Sequence, residues 1–393
     1  MSLVDGLHSG PKCMYYIRVV SMSKFVSSER TAKNRPNLQG GVLLKKNHLF
    51  GAMGLVGVLA LLAACAGPAS DLQETDALEV AETKAVEFSC EPATLAGLDD
   101  DSHRAAFYAL ENGLIESDII PSVAVDYLLI PALIAASGSG QFDYTMTSLN
   151  GLILARELGE IDLRAVAYSL AHSGSGLALY TREDAGIASA EDLAGMRIAT
   201  PSFGSTGTSE AQIVLSQKYG LDAALKGGDL TWVELDMPTM MNALKAGDID
   251  VGLMWHLGGW NAENDPELIK LTALDKEFRE IANGAWPIGA AFAATGEFVD
   301  GNLECVNEFQ RMLGESVAYA EANHAEFAGD ISAASGVPVE FIDFWWNPDH
   351  YMFGGSVDAE WMSYADEYYK LAFEAGFIPV YPNIEEITVV PAS

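Results

Sequence analysis

From Ala85 onward, short apolar runs alternate with longer segments in which apolar residues recur every three or four positions. This alternation predicts an α/β protein rather than a sandwich or a helical bundle. The runs predict strands at 85–89, 142–146, 165–169, 177–181, 196–200, 230–235, 249–255 and 288–294. Between them the 3.6-residue period predicts helices over 102–112, 149–158, 209–219 and 238–246, with Gly113, Gly159, Gly220 and Gly247 placed to close them. The last hundred residues read as mostly helical and rich in aromatic side chains.

One pattern occurs twice. The stretches 130–146 and 237–254 each run helix, glycine, polar residue and then an Asp in an apolar strand, with Asp143 and Asp250 in equivalent places. A duplicated unit of this kind predicts two similar lobes facing each other. The ligand of such open α/β sheets sits outside the carboxyl ends of the strands.

Composition changes this picture in one respect. The 393 residues carry 55 Asp and Glu against 22 Lys and Arg, a net charge of −33. Eight of the basic and two of the acidic residues precede Cys65, so the remainder holds 14 basic against 53 acidic groups. A surface this negative repels phosphate backbones, and nucleic acid is excluded as a partner.

Lys45 and Lys46 precede an uncharged apolar run from Leu49 to Ala64 that ends at Cys65. A basic start followed by sixteen apolar residues and no stop-transfer cluster reads as an export signal rather than a spanning helix. Leu62-Ala63-Ala64-Cys65 resembles a lipoprotein processing site, which implies cleavage before Cys65 and acylation of its thiol and new amino terminus. More than one acyl chain makes a stable anchor. Residues 1–64 are thus read as leader and signal, and the acidic, small-residue stretch 65–84 as a flexible tether. Cys90 and Cys305 remain. In an exported chain they are free to pair, but their spacing does not require it.

The candidate chemistry centres on strand-to-helix turns. In Pro201-Ser-Phe-Gly-Ser-Thr-Gly-Thr208, small residues bring backbone amides and hydroxyls to the positive end of the following helix, an anion site that needs no lysine. Ser205, Thr206 and Thr208 are the residues at issue; capping is their structural role, and a ligand is the additional one. Ser148 and Asn150 occupy the corresponding turn of the first lobe. Trp255 and His256 follow the second-lobe strand, where an indole covers either a guest or the core. Asp236 is placed either to meet an ammonium group or to cap a helix. His172, beside a Gly-Ser stretch, reads as exposed and idle. Trp345 and Tyr351 read as packing, with pocket lining as the alternative. No Gly-x-Ser-x-Gly, His-Glu-x-x-His or Cys-x-x-Cys occurs, and the five histidines after Cys65 are scattered, so the pattern favours binding over catalysis and points to no metal or cofactor.

Four segments, Ser189 to Thr208, Asn242 to Trp255, Ala285 to Thr295 and Ser335 to Trp346, resemble in order and spacing the solute-binding subunits of ABC importers for taurine, alkanesulfonates and nitrate. The resemblance implies a periplasmic-binding-protein type II fold in which two crossings, near Leu177–Thr181 and Ile288–Ala294, join lobe one (85–180 and 289–393) to lobe two (181–288). It also implies that Ser148, Ser205 and Thr206 hold an anion with Trp255 against its organic part. Gly207-Thr208 and Asp236 depart from the taurine pattern and leave room for a larger or more cationic guest. The expected protein is a monomeric, lipid-anchored receptor outside the cytoplasmic membrane. It passes a small organic anion or zwitterion to a permease and its ATPase. The alternatives are an enzyme on the same lobes, resembling pyrimidine-precursor synthases or menaquinone-pathway dehydratases, or a ligand-sensing ectodomain.

Overall fold

The computed structural model describes residues 89–174 and 176–391. The export signal, Cys65, the tether and most of the strand expected at 85–89 lie outside the described residues. Among the described residues no helix is long and apolar enough to cross a membrane.

Eleven strands form two sheets. They are β1 (Ala93–Leu98), β2 (Val123–Leu128), β3 (Tyr144–Thr147), β4 (Leu163–His172), β5 (Leu177–Arg182), β6 (Arg197–Thr200), β7 (Thr231–Glu234), β8 (Val251–Trp255), β9 (Leu268–Ala273), β10 (Ile288–Thr295) and β11 (Tyr351–Phe353). The first sheet runs β11-β4-β10-β3-β1-β2, the second β7-β6-β8-β5-β9. Each has a parallel core (β3-β1-β2 and β7-β6-β8) extended by antiparallel strands.

The duplicated pattern has one physical meaning in both sheets. Asp143 and Asp250 each sit immediately before a strand, not within it as the apolar run suggested. Asp143 accepts from the backbone N–H and the hydroxyl of Thr94 at 2.8 Å. Asp250 accepts from the backbone N–H of Arg197 at 2.8 Å and from its guanidinium. Thr94 and Arg197 stand at the start of the neighbouring parallel strands, so each carboxylate fastens the entry of one strand to the next. The guanidinium beside Asp250 holds its carboxyl below the usual range, against a smaller opposing effect of burial.

Helix boundaries follow local chemistry. Asp100, Ser148, Ser205 and Asp236 cap helices through their side chains, and Gly220 and Gly247 close them at φ 68° and 79°. Two expectations need correction. Gly159 is the last helical residue, and the left-handed cap is Glu160 at φ 54°. The helix expected from Ser209 begins at Thr206, because Ser205 already accepts from the Thr208 amide; Thr206 to Thr208 are its first turn and not a loop.

β1, β2, β9 and β11 were not anticipated. β11 lies in the C-terminal region read as helical, and pairs Tyr351–Phe353 with His172–Leu170 of β4. The chain changes sheets between β4 and β5 and returns just before β10, since the whole of β5 belongs to the second sheet and the whole of β10 to the first. The first passage therefore precedes 177–181 and ends before the 180/181 lobe boundary. It is tethered by the buried carboxylate of Asp275, which accepts from the amides of Gly174 at 3.0 Å and Gly176 at 2.8 Å.

Cys90, just before β1, is disulfide-bonded to Cys305, in the first turn of the 33-residue helix Leu303–Ser335. That helix packs along Asp101–Glu111 and covers one face of the first sheet. Trp345 and Tyr351 are buried in this core, their ring centroids 3.8 Å apart.

Candidate functional site

A cleft with a cavity of about 80 Å³ lies between the two sheets, at the carboxyl ends of β1, β3, β4, β6 and β8. That is room for several water-sized groups, a small guest. Its wall is largely apolar, with Leu98, Ile130, Leu133, Ile134, Met146 and Leu170 from the first half and Trp255 from the second. Polar groups are few and lie at the helix starts: Thr147, Ser148, Ser205 and Thr206, joined by His172 and His256. Among the described residues lining the cleft there is no Lys or Arg.

Two helix N-termini meet here. The helix Leu149–Gly159 starts at Ser148, whose hydroxyl accepts from the Gly151 amide at 2.9 Å. The helix Thr206–Tyr219 starts at Ser205, whose hydroxyl accepts from the Thr208 amide at 3.2 Å and donates to the Ser202 carbonyl at 3.0 Å. The Leu149 amide donates across the cleft to the Thr206 hydroxyl at 3.1 Å. The amides of Asn150, Thr206 and Gly207 have no acceptor among the described residues. Converging helix starts superpose their partial positive charges and favour an anion between them.

Gly207 fits closely into this packing. A Cβ there would stand 3.3 Å from the Trp255 ring and from a Leu177 methyl, so the bare backbone is what lets the indole lie against the first turn. His256 follows Trp255 at φ 54°, a left-handed conformation that a non-glycine residue adopts only when its surroundings impose it. Its amide donates to the Tyr351 hydroxyl at 3.1 Å, its ring stands edge-on to Trp345 with centroids 4.2 Å apart, and its Nδ1 lies 3.7 Å from the Asp100 carboxylate. Burial pushes the His256 imidazole down to about 3, and the nearby Asp100 offsets this only in part. The ring is therefore neutral under physiological conditions.

Of the eight ligand-binding residues expected from the sequence, Ser148, Ser205, Thr206, Trp255 and His256 come together at the cleft. The other three are placed elsewhere. Asn150 accepts from the Tyr368 hydroxyl at 2.7 Å, Thr208 is fully buried and donates to the Ser202 carbonyl at 2.7 Å, and Asp236 caps its helix by accepting from the Thr239 amide at 2.8 Å. Backbone hydrogen bonding lowers the Asp236 carboxyl below its ordinary value.

His172 was expected to be exposed and idle. It is instead 3% exposed and lines the cleft, because Asp275 holds the amides of Gly174 and Gly176 after it and its own strand lies inside the sheet, between β11 and β10. Only its placement at the end of a long apolar run, Leu163–His172, signalled this. The apolar wall from Ile130 to Ile134 was likewise visible as a helix but not as a lining. Among the described residues no group of three or more His, Cys, Asp or Glu is placed to hold a metal ion.

A family model described as NMT1/THI5 like matches residues 131–327. No curated protein sequence matches the chain. Among solved structures, the chain is similar to the periplasmic aliphatic sulphonate binding protein SsuA from Escherichia coli, at 17% identity and a TM-score of 0.60, covering 77% of this chain and 94% of that one. It is similar to the alkanesulfonate-binding protein SsuA from Xanthomonas axonopodis pv. citri bound to MOPS, at 16% identity and a TM-score of 0.58, covering 77% and 99%. The desulfurization enzyme DszB is also similar, at 12% identity and a TM-score of 0.51, covering 77% and 97%. At these identities the likeness is one of fold, the periplasmic-binding-protein fold with two α/β halves, and DszB shows that this fold also hosts catalysis.

Proposed function

The chain belongs to the NMT1/THI5-like family, and from that premise we propose that it is the solute-binding component of an ABC importer, capturing a small organic anion in the cleft between its two halves. One observation carries this reading: two helix starts, capped by Ser148 and Ser205, converge on a small cavity with unpartnered amides and no basic side chain. Such a site favours charge spread over several oxygens, and dipoles rather than a cation supply the attraction. The apolar wall and the Trp255 indole accommodate a short organic body, which favours a sulfonate or carboxylate over bare nitrate. The solved relatives named for sulfonate binding agree with that class.

In this reading the halves built on the two sheets act as lobes. A guest that touches both helix starts binds the closed arrangement more tightly than an open one, and this differential affinity drives closure. Cleavage before Cys65 and lipidation there would hold the receptor outside the cytoplasmic membrane, within reach of a permease and its ATPase.

The test is calorimetric titration of the purified protein with ethanesulfonate, taurine, benzoate and nitrate, beside a thermal-shift series. A guest bound only by the folded state raises the melting temperature in proportion to its occupancy. Saturable binding of at least one organic anion, weakened by Ser205→Ala, is the expected result. Absence of binding by all four overturns the proposal.

A further inference from the structure

Four polar atoms beside the cleft have no hydrogen-bond partner: both ring nitrogens of His172 and both carboxyl oxygens of Glu210. The His172 side chain is 4% exposed and that of Glu210 is fully buried. Their nearest approach, Nδ1 to Oε2, is 3.7 Å, too long for a hydrogen bond. Native proteins pair nearly all buried polar groups, and two such residues left open side by side ask for a reason. They also come from opposite halves: His172 ends β4 of the first sheet, and Glu210 lies in the helix Thr206–Tyr219, whose start forms the anion pole.

The surroundings narrow the chemistry. The groups facing this pair are His256, its ring centroid 6.5 Å from that of His172; Tyr351, at 5.7 Å and edge-on; and Asp275, committed to the amides of Gly174 and Gly176. The Tyr351 hydroxyl is engaged with the Gly176 carbonyl and the His256 amide. None of these supplies a partner for His172. Burial raises the Glu210 carboxyl above its ordinary value, only partly opposed by His172. An approach of less than an ångström would let a carboxylic O–H of Glu210 donate to Nδ1 and leave Nε2–H as the donor toward the cleft, whereas an ionised carboxylate would repel a guest anion.

We propose that His172 is a ligand-contacting, specificity-determining residue whose Nε2–H donates to an oxygen of the guest's anionic group, while Glu210, 3.7 Å from Nδ1, moves into hydrogen-bond reach of it when the two halves close on the guest. The inference rests on the reading of the cleft as an anion site and deepens it. The oxyanion is shared between the helix amides and one imidazole, so the preferred head group has at least two acceptor oxygens, as a sulfonate or carboxylate has. Glu210 is a positioning residue that fixes the tautomer.

The experiment titrates ethanesulfonate and benzoate into wild type, His172→Leu, His172→Asn and Glu210→Gln, with the melting temperature of each ligand-free variant alongside. Expected is a loss of affinity of tenfold or more in His172→Leu with an unchanged or higher melting temperature, because a leucine leaves no unpaired nitrogens in the apolar surroundings. His172→Asn, which keeps an N–H donor, recovers part of the affinity. Glu210→Gln, whose amide still donates to Nδ1, stays within a few fold of wild type. In ¹⁵N spectra the His172 Nε2 resonance moves on addition of whichever anion binds. Wild-type affinity in His172→Leu overturns the inference while leaving the anion site standing. So does a melting temperature that falls in parallel with binding, which marks a structural role. If neither anion binds wild type, this inference falls, and the anion site falls with it only when taurine and nitrate also fail to bind.

Discussion

The backbone N–H of Leu149 donates to the hydroxyl of Thr206 at 3.1 Å, joining the first turn of one helix to the first turn of another in the opposite half of the molecule. Both helices begin beside the cleft, and this bond ties their ends together where an anion would lie.

Thr206→Val removes that acceptor while keeping the shape of the side chain, and leaves the Leu149 amide unpaired in a buried place. The expected loss is about 1–3 kcal/mol of unfolding free energy in urea. An accompanying expansion in small-angle scattering is expected, because the two halves lose a direct tie. A variant of wild-type stability and radius would show that water replaces the hydroxyl without cost.

Ser205→Ala removes an N-cap whose hydroxyl both accepts the Thr208 amide and faces the cleft. Its stability cost is expected at about 1 kcal/mol, the usual value of a cap. The loss of affinity for a bound organic anion, measured by calorimetry, is expected to exceed what that small change in stability accounts for. Asp236→Ala serves as the control, since it removes an equivalent cap outside the cleft and is expected to leave affinity unchanged.

Glu210→Gln tests the buried carboxyl through pH. Its folded-state value lies above the ordinary 4.5, so the protein binds this proton more tightly folded than unfolded. The favourable contribution is complete below about pH 4.5 and is lost as pH rises through the raised value. The neutral variant is therefore expected to gain on wild type as pH climbs from 4.5 toward 8 in parallel urea titrations. A constant or opposite difference would contradict the assignment of burial as the dominant cause.

The Cys90–Cys305 bridge closes a loop of 215 residues and staples the start of the first sheet to the long helix that covers it. Cys90→Ser with Cys305→Ser is expected to cost about 2–4 kcal/mol by chemical denaturation, with ligand affinity little changed because the bridge lies away from the cleft. Reduction of wild type with dithiothreitol should reproduce the loss.

Asp143 and Asp250 are expected to behave as a pair. Asparagine at either position weakens the grip on an amide at the start of the neighbouring strand and should destabilise its own half by about 1–3 kcal/mol. Hydrogen exchange should localise each effect to one sheet. The larger loss is expected at Asp250, where the Arg197 guanidinium is left without its carboxylate as well.

What the chain determined by itself is whatever depends on near neighbours. Alternating apolar runs and capped amphipathic segments specify most of the strands and the four helices anticipated. The Asp143 and Asp250 repeat marks the duplicated halves, and the small residues at Pro201 to Thr208 mark a helix start with amides to spare. The tertiary structure decided whatever depends on which surface meets which. Ser148 and Ser205 are the same kind of cap as Asp236, yet the first two line the cleft and Asp236 does not, because β3 and β6 lie inside their sheets whereas β7 is the edge strand of its own. His172 precedes the same glycines whether exposed or buried; Asp275, about a hundred residues away, holds the amides of Gly174 and Gly176, and the ring is buried. β11 and the Cys90–Cys305 bridge follow the same rule. Three residues pair with a strand already in place, and two thiols meet because a sheet and a helix bring them together, neither of which local periodicity records.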